Sequence, residues 1–220
     1  MLRLIRIIAC LISIATLSAC VTAPVHKDYS AIRTEQPRSI LVVPAINKSV
    51  EVNAPDYFLT TIAKPLAERG YYVFPVNLVK RLMEDDGLGD ADMVHAEEPQ
   101  RLGKMFGADA VMYISIEQWN AQYLVFNTSV TVSLKYSLKS ASTGNMLWEN
   151  AQTVVYQPQN NSGGGIAGLI AQAVVAAMAK AAPNYMPLAH QANARAIYTK
   201  GQGLPAGPYD LSYQKDQTDF

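Results

Sequence analysis

The side chains that could do chemistry are few and widely spaced. An acidic stretch holds Asp85, Asp86, Asp90, Asp92, Glu97 and Glu98, oxygen ligands of the kind calcium takes. A calcium loop of the EF-hand type opening at Asp86 would place Asp90, Asp92 and Glu97 usefully. It fails at Leu88, where an oxygen is wanted, and at Ala91, where the turn needs glycine. The stretch therefore reads as a solvated acidic loop. The histidines, His26, His95 and His190, lie far apart, and no His-Glu-x-x-His phrase would pair two of them on a metal. No Gly-x-Ser-x-Gly elbow presents a nucleophilic serine. Gly163, Gly164, Gly165 and Gly168 precede a helical pattern, as glycines do in phosphate loops, but no Lys-Ser/Thr follows them and a hinge is the better reading. We expect no catalytic centre, no metal and no cofactor.

Composition excludes further classes. The 18 basic and 18 acidic residues of the 220 balance to a net charge of zero, which argues against a nucleic-acid partner. Half the chain is apolar, too much for a disordered protein. The two cysteines, Cys10 and Cys20, are too few for a disulfide framework or a thiolate zinc site.

Cys20 is the exception to this chemical silence. Arg3 and Arg6 make a positive start, and Ile7 to Leu17 is apolar apart from Ser13 and Thr16. Leu17-Ser18-Ala19-Cys20 follows. Residues 1–19 are a signal peptide, too short for a membrane span. The last four residues resemble the bacterial lipobox. That resemblance implies a thiol alkylated by diacylglycerol, cleavage before it and acylation of the new amino group. The alternative is an ordinary secretory signal that leaves Cys20 free. Cleavage before Cys20 leaves 201 residues with 16 basic and 18 acidic groups. Several acyl chains exceed the two signals needed for stable anchoring. Val21 follows Cys20, where aspartate resembles the inner-membrane retention signal, so the resemblance favours the outer membrane. We expect a periplasm-facing anchor, with surface exposure as the alternative.

One other stretch stands out. Ile166 to Ala179 carries a single polar residue, Gln172, and is too short to span a bilayer. Gly164, Gly168, Ala171, Val175 and Ala179 form a small-residue stripe that allows helices to approach closely. It reads as a buried core helix or as a contact with a partner, and less readily as a membrane-inserting segment. The partner reading predicts a homodimer or larger oligomer.

The elements that must position these residues follow from periodicity. Residues 1–19 are the signal, 20–37 a tether, 38–200 one globular domain and 201–220 an extended tail. Ser39 to Ala45 reads as a buried strand ended by Pro44. Asp56 to Arg69 is a helix with an awkward Pro65, stopped by Gly70 before a strand at Tyr71 to Pro75. Val76 to Met83 and Pro99 to Phe106 are helices flanking the acidic loop, the second capped by Gly107. Ala110 to Trp119 is apolar on both faces and so a central strand. Tyr123 to Lys139 reads as a half-buried antiparallel strand, with Val130, Val132, Leu134, Tyr136 and Leu138 on the dry face alternating with Thr131, Ser133, Lys135, Ser137 and Lys139. A turn at Ser142 to Asn145 returns it as Met146 to Tyr156. Helices follow at Ile166 to Ala182 and Tyr185 to Tyr198. The fold class is α/β (α+β): a small mixed sheet with a C-terminal antiparallel hairpin, helices packed on it and two late helices.

Several phrases resemble a group of periplasmic lipoprotein domains. They are Ile40-Leu-Val-Val-Pro44 with Ile46-Asn-Lys-Ser49, Leu66-Ala-Glu-Arg-Gly70, Gly107-Ala-Asp109, and Ser142-Thr-Gly144 with Leu147-Trp148. The group includes the amino-terminal domain of the Tol-system propeller protein and the curli secretion lipoprotein. With the lipobox and Leu204-Pro-Ala-Gly-Pro208, they resemble a family of bacterial outer-membrane lipoproteins of unknown function that includes a neisserial vaccine candidate. The resemblance implies a non-enzymatic accessory or structural role in envelope assembly or export. It also implies a curli-secretion-like lipoprotein and a second small lipoprotein as partners. The alternative is a periplasmic ligand-binding module serving a transporter.

Overall fold

A computed structural model describes residues 26–124, 127–156 and 185–220, without the side chains of 121–124 and 127–128. Cys20 and the stripe at Gly164, Gly168, Ala171, Val175 and Ala179 lie outside the described residues. In chain order the elements are α1 (Ser30–Glu35), β1 (Ser39–Val42), β2 (Ile46–Asn47), α2 (Ala54–Glu68), β3 (Tyr72–Val73), α3 (Val76–Asp85), α4 (Ala91–Ala96), α5 (Pro99–Phe106), β4 (Ala110–Leu124), β5 (Asn127–Ser140), β6 (Met146–Tyr156) and α6 (Met186–Tyr198).

The strands form one mixed sheet in the order β3-β1-β4-β5-β6, with the short β2 also pairing β4. β3, β1 and β4 run parallel, joined by helices, while β4, β5 and β6 are antiparallel. As its two apolar faces require, β4 is central: Met112, Ile114 and Ile116 enter one core, and Val111 and Tyr113 the other. A bulge at Glu117 shifts the register by one residue. Trp119 is thereby turned into the same core as Ile116 and fully buried.

The larger core lies between one sheet face and α1, α2 and α6. Phe58, Leu59, Ile62 and Leu66 of α2 are at most 1% exposed, a helical stripe. Each such burial is worth about 1.5–3 kcal/mol. Within it the Tyr136 hydroxyl donates to Asn193 Oδ1 at 2.7 Å, and Asn193 Nδ2 donates to Thr61 Oγ1 at 2.8 Å. The smaller core seats Val79 of α3, Val94 of α4 and Leu102 of α5 on the other face of β1 and β4. Beyond it that face is left to Ser133, Thr153 and Lys135, the wet side of the alternating strand.

Three expectations are corrected. The tether is structured at its end: α1 lies within residues 20–37, and Tyr29 and Ile32 are 4% and 3% exposed. Two large apolar side chains one helical turn apart are enough to dock so short a helix. The acidic loop contains α4, capped by the Asp90 carboxylate, which accepts from Asp92 N at 2.7 Å. Residues 201–220 are not extended. They run through turns against the domain, and Leu204, Ala206 and Phe220 are buried. The folded body therefore reaches past 38–200 at both ends.

Candidate functional site

The elements gather chemistry at one end of the sheet, where β1 and β4 begin, β5 finishes, and α2 and α6 both stop. α1 and residues 201–220 cover that end. Arg69, just after α2, organises it. Its Nε donates to Leu204 O at 2.6 Å, its guanidinium pairs with Asp216 at 2.8 Å, and it lies 4.3 Å over the Phe220 ring. Both ionic side chains are nearly buried, 13% and 11% exposed, so this pair is shielded from solvent. Asp216 also accepts from Ala206 N at 2.7 Å. Arg33 of α1 donates to the Phe220 backbone oxygen. Tyr29 packs edge-on against Phe220 and donates to Gly203 O at 3.0 Å; burial pushes its phenol up to about 12. Burial also raises the Tyr71 phenol, which donates to Pro205 O at 2.9 Å.

Between α1 and the C-terminal segment lies a cleft of about 210 Å³, floored by Ile32, Pro205 and Pro208 and rimmed by Arg33, Gln36, Tyr213 and Gln214. Gln36 and Gln214 have φ of 47° and 59°, and among the described residues they are the non-glycine positions with positive φ. Gln36 owes this to ending α1, where its N–H donates to Ile32 O. The cleft is smaller than the 300 Å³ or so at which small-molecule sites begin.

A second, polar cleft of about 310 Å³ opens beside Glu35, Arg38, Lys104 and Asp109. Its carboxylates are engaged. Glu35 accepts from the hydroxyls of Ser140, Ser142 and Thr143 at 2.7, 3.0 and 2.7 Å. The Ser140 hydroxyl, then that of Thr143, holds its carboxyl below the usual range. Asp109 Oδ2 accepts from the backbone N–H groups of Arg38 and Ser39 and from Ser39 Oγ at 2.9, 3.0 and 3.0 Å. Gly107, with φ of 71°, ends α5 so that the chain can turn to deliver that aspartate. The Gly-Ala-Asp and Ser-Thr-Gly phrases thus tie α1 and the start of β1 to the sheet.

The histidines are brought to different places. His95 Nε2 lies 3.0 Å from Pro44 O and the ring stacks edge-on with Tyr113, where burial lowers its pKa. The His26 ring packs against Gly201, and His190 is exposed on α6. Among the described residues no three potential metal ligands cluster. The acidic residues of 84–98 cap and flank α4 without converging. Sequence reasoning missed Arg69, Asp216 and the polar pair Tyr136–Asn193. An asparagine among the alanines of α6 is the one visible signal for the last.

A family model described as "Putative lipoprotein GNA1162-like" matches residues 27–209. A lipoprotein of Neisseria meningitidis serogroup B, NMB1124/NMB1162, is 37% identical over 166 residues, 75% of this chain and 77% of its own length. The crystal structure of lipoprotein GNA1162 from Neisseria meningitidis superposes with a TM-score of 0.55 at 37% identity, over 66% of this chain and 100% of that one. The PelC dodecamer of Paraburkholderia phytofirmans is 16% identical with a TM-score of 0.38, over 58% of this chain and 77% of that one. So slight a likeness says nothing of assembly here. The matched span runs from the first described residues, through the strand phrases, to the Leu204–Pro208 cover. This chain belongs to the GNA1162-like lipoprotein family.

Proposed function

We propose that this lipoprotein is held in the outer membrane by acyl chains on Cys20, faces the periplasm, and serves as an accessory or structural component of an envelope assembly or export system. It has no turnover of its own. The observation that carries this is how the charged and hydroxyl groups at the covered end of the sheet are used. Glu35, Arg69 and Asp216 bind the terminal segments to the domain, and Asp109 holds the start of β1. A general acid or base must be within reach of a substrate proton, and these groups are committed to backbone and hydroxyl partners. The partners we propose are a curli-secretion-like lipoprotein and a second small lipoprotein. Crosslinking in intact envelopes followed by mass spectrometry of the captured proteins tests this. Recovery of envelope lipoproteins or an export component supports the reading, and recovery of a small-molecule transporter favours the ligand-binding alternative. The 210 Å³ cleft with its two left-handed glutamines is the feature that speaks for that alternative.

We also propose that the stretch Ile166 to Ala179, outside the described residues, mediates self-association. Gly168→Leu and Ala171→Leu are expected to shift the unlipidated protein towards monomer, and Asp86→Ala is not. Light scattering across a dilution series decides, and a monomer at every concentration contradicts it.

A further inference from the structure

The end of the domain that covers the sheet also carries apolar side chains that the fold holds out into solvent. Leu211 is 92% exposed and Tyr209 69% exposed. Their segment is well braced. Tyr209 N donates to Gly70 O at 3.0 Å, Asp210 N to Gly207 O at 3.0 Å, and Tyr213 N to Asp210 O at 3.1 Å. Asp210 Oδ1 accepts from Ser212 N at 2.7 Å, and Lys215 Nζ donates back to Leu211 O at 3.2 Å. Gly70 is packed so closely that a Cβ there would lie 2.4 Å from Asp210 N. The fold thus presents a tyrosine and a leucine outward, with a lysine folded beside them. Amphipathic aromatic rings, an aliphatic side chain and a flexible ammonium are what membrane–water interfaces favour.

The chain enters the domain at this same end. Lys27 N donates to Gly201 O at 3.0 Å, at the stop of α6, and Gly201 N donates to Asp219 O at 2.6 Å. Cys20 precedes Lys27 by seven residues, a leash of at most about 25 Å fully extended. A compact chain of this length is roughly 40 Å across, so the leash is shorter than the domain is wide. With Cys20 acylated, the entry end is the end held against the bilayer. The loop between β2 and α2 exposes Val50 and Val52 by 88% and 83% and lies at the opposite end. It is a matched apolar pair without that proximity.

We propose that the loop carrying Tyr209 and Leu211 inserts into the headgroup region of the membrane that holds the lipid anchor, fixing the orientation of the domain on the bilayer. The inference rests on the lipoprotein reading. Two side chains bind a bilayer weakly on their own, and the anchor makes their contact effectively intramolecular. The unlipidated protein is therefore not expected to bind vesicles.

The test uses the mature lipidated chain in vesicles of phosphatidylethanolamine with a minority of phosphatidylglycerol. Cys20 is acylated, so Ser212→Cys adds one free thiol for an environment-sensitive fluorophore; Val52→Cys serves as the far-end control. With spin-labelled lipids in the vesicles, the label at 212 is expected to be quenched several-fold more than the label at 52. Tyr209→Ser with Leu211→Ser should remove that difference and leave the melting midpoint unchanged, since both side chains are exposed. If the wild-type chain floats with vesicles but the two positions are quenched equally, the inference is overturned while the lipoprotein reading stands. That result would leave a protein partner as the occupant of the loop. If the wild-type chain does not float, the lipoprotein reading fails and takes the inference with it.

Discussion

Gly70 and Gly87 share a backbone conformation, with φ of 83° and 82°, and differ in what surrounds them. At Gly87 nothing lies within 4 Å of where a Cβ would be, whereas at Gly70 the Cβ would meet Asp210 N at 2.4 Å and Gly207 O at 2.9 Å. Gly87→Ala is expected to cost about 1 kcal/mol, the price of a left-handed alanine. Gly70→Ala should cost that and an overpacking penalty of roughly 1–3 kcal/mol more, because the segment must lift off. Equal losses in chemical denaturation would contradict the close approach. Glu35 gives a pH-dependent prediction. Its folded pKa lies below the ordinary 4.5 because three hydroxyls donate to the carboxylate. A depressed carboxylate contributes stability that is present above its unfolded value and lost as pH falls through its folded one. Glu35→Gln should therefore cost about 1 kcal/mol at pH 7, solvent exposure having been discounted. The gap in melting midpoint should narrow below pH 4.5. A gap independent of pH would place the stabilisation elsewhere.

Trp148 shows how one strand and the C-terminal segment depend on each other. It is 4% exposed on the dry face of β6, packs at a tilt against Tyr136 with ring centroids 6.1 Å apart and donates from Nε1 to Gly203 O at 2.9 Å. Trp148→Ala should cost about 3–5 kcal/mol, and Trp148→Phe about 1 kcal/mol for the lost hydrogen bond. An unchanged midpoint in the alanine variant rejects the placement. The alternation that buries Val130 to Leu138 was visible in the sequence because a half-buried strand repeats every two residues over a long run. Pro99 and Gly107 marked α5 because each has a distinct backbone role at a helix end. α1 was not legible, since a six-residue helix has too few turns to show a period. Neither was the docking of residues 201–220. Its hold comes from Arg69, more than 130 positions away, and from main-chain carbonyls that carry no side-chain signature. The cleft at that end was hidden for the same reason. The bulge at Glu117 broke the alternation of β4, and only the structure shows Trp119 facing the same core as Ile116.

At the scale of the whole molecule, the first and last described segments meet at one end of the sheet, the end to which the proposed anchor at Cys20 leads. Cys20 precedes every described contact, so Cys20→Ala should leave the circular dichroism spectrum and melting midpoint of the domain unchanged. The most direct measurement is metabolic labelling with a palmitate analogue, followed by separation of inner and outer membranes on a density gradient. We expect wild-type protein to carry the label and sediment with the outer membrane, and Cys20→Ala to lose the label and move to the soluble fraction. An unlabelled wild-type chain, a chain in the inner-membrane fraction, or a Cys20→Ala chain still in the outer membrane would contradict the account.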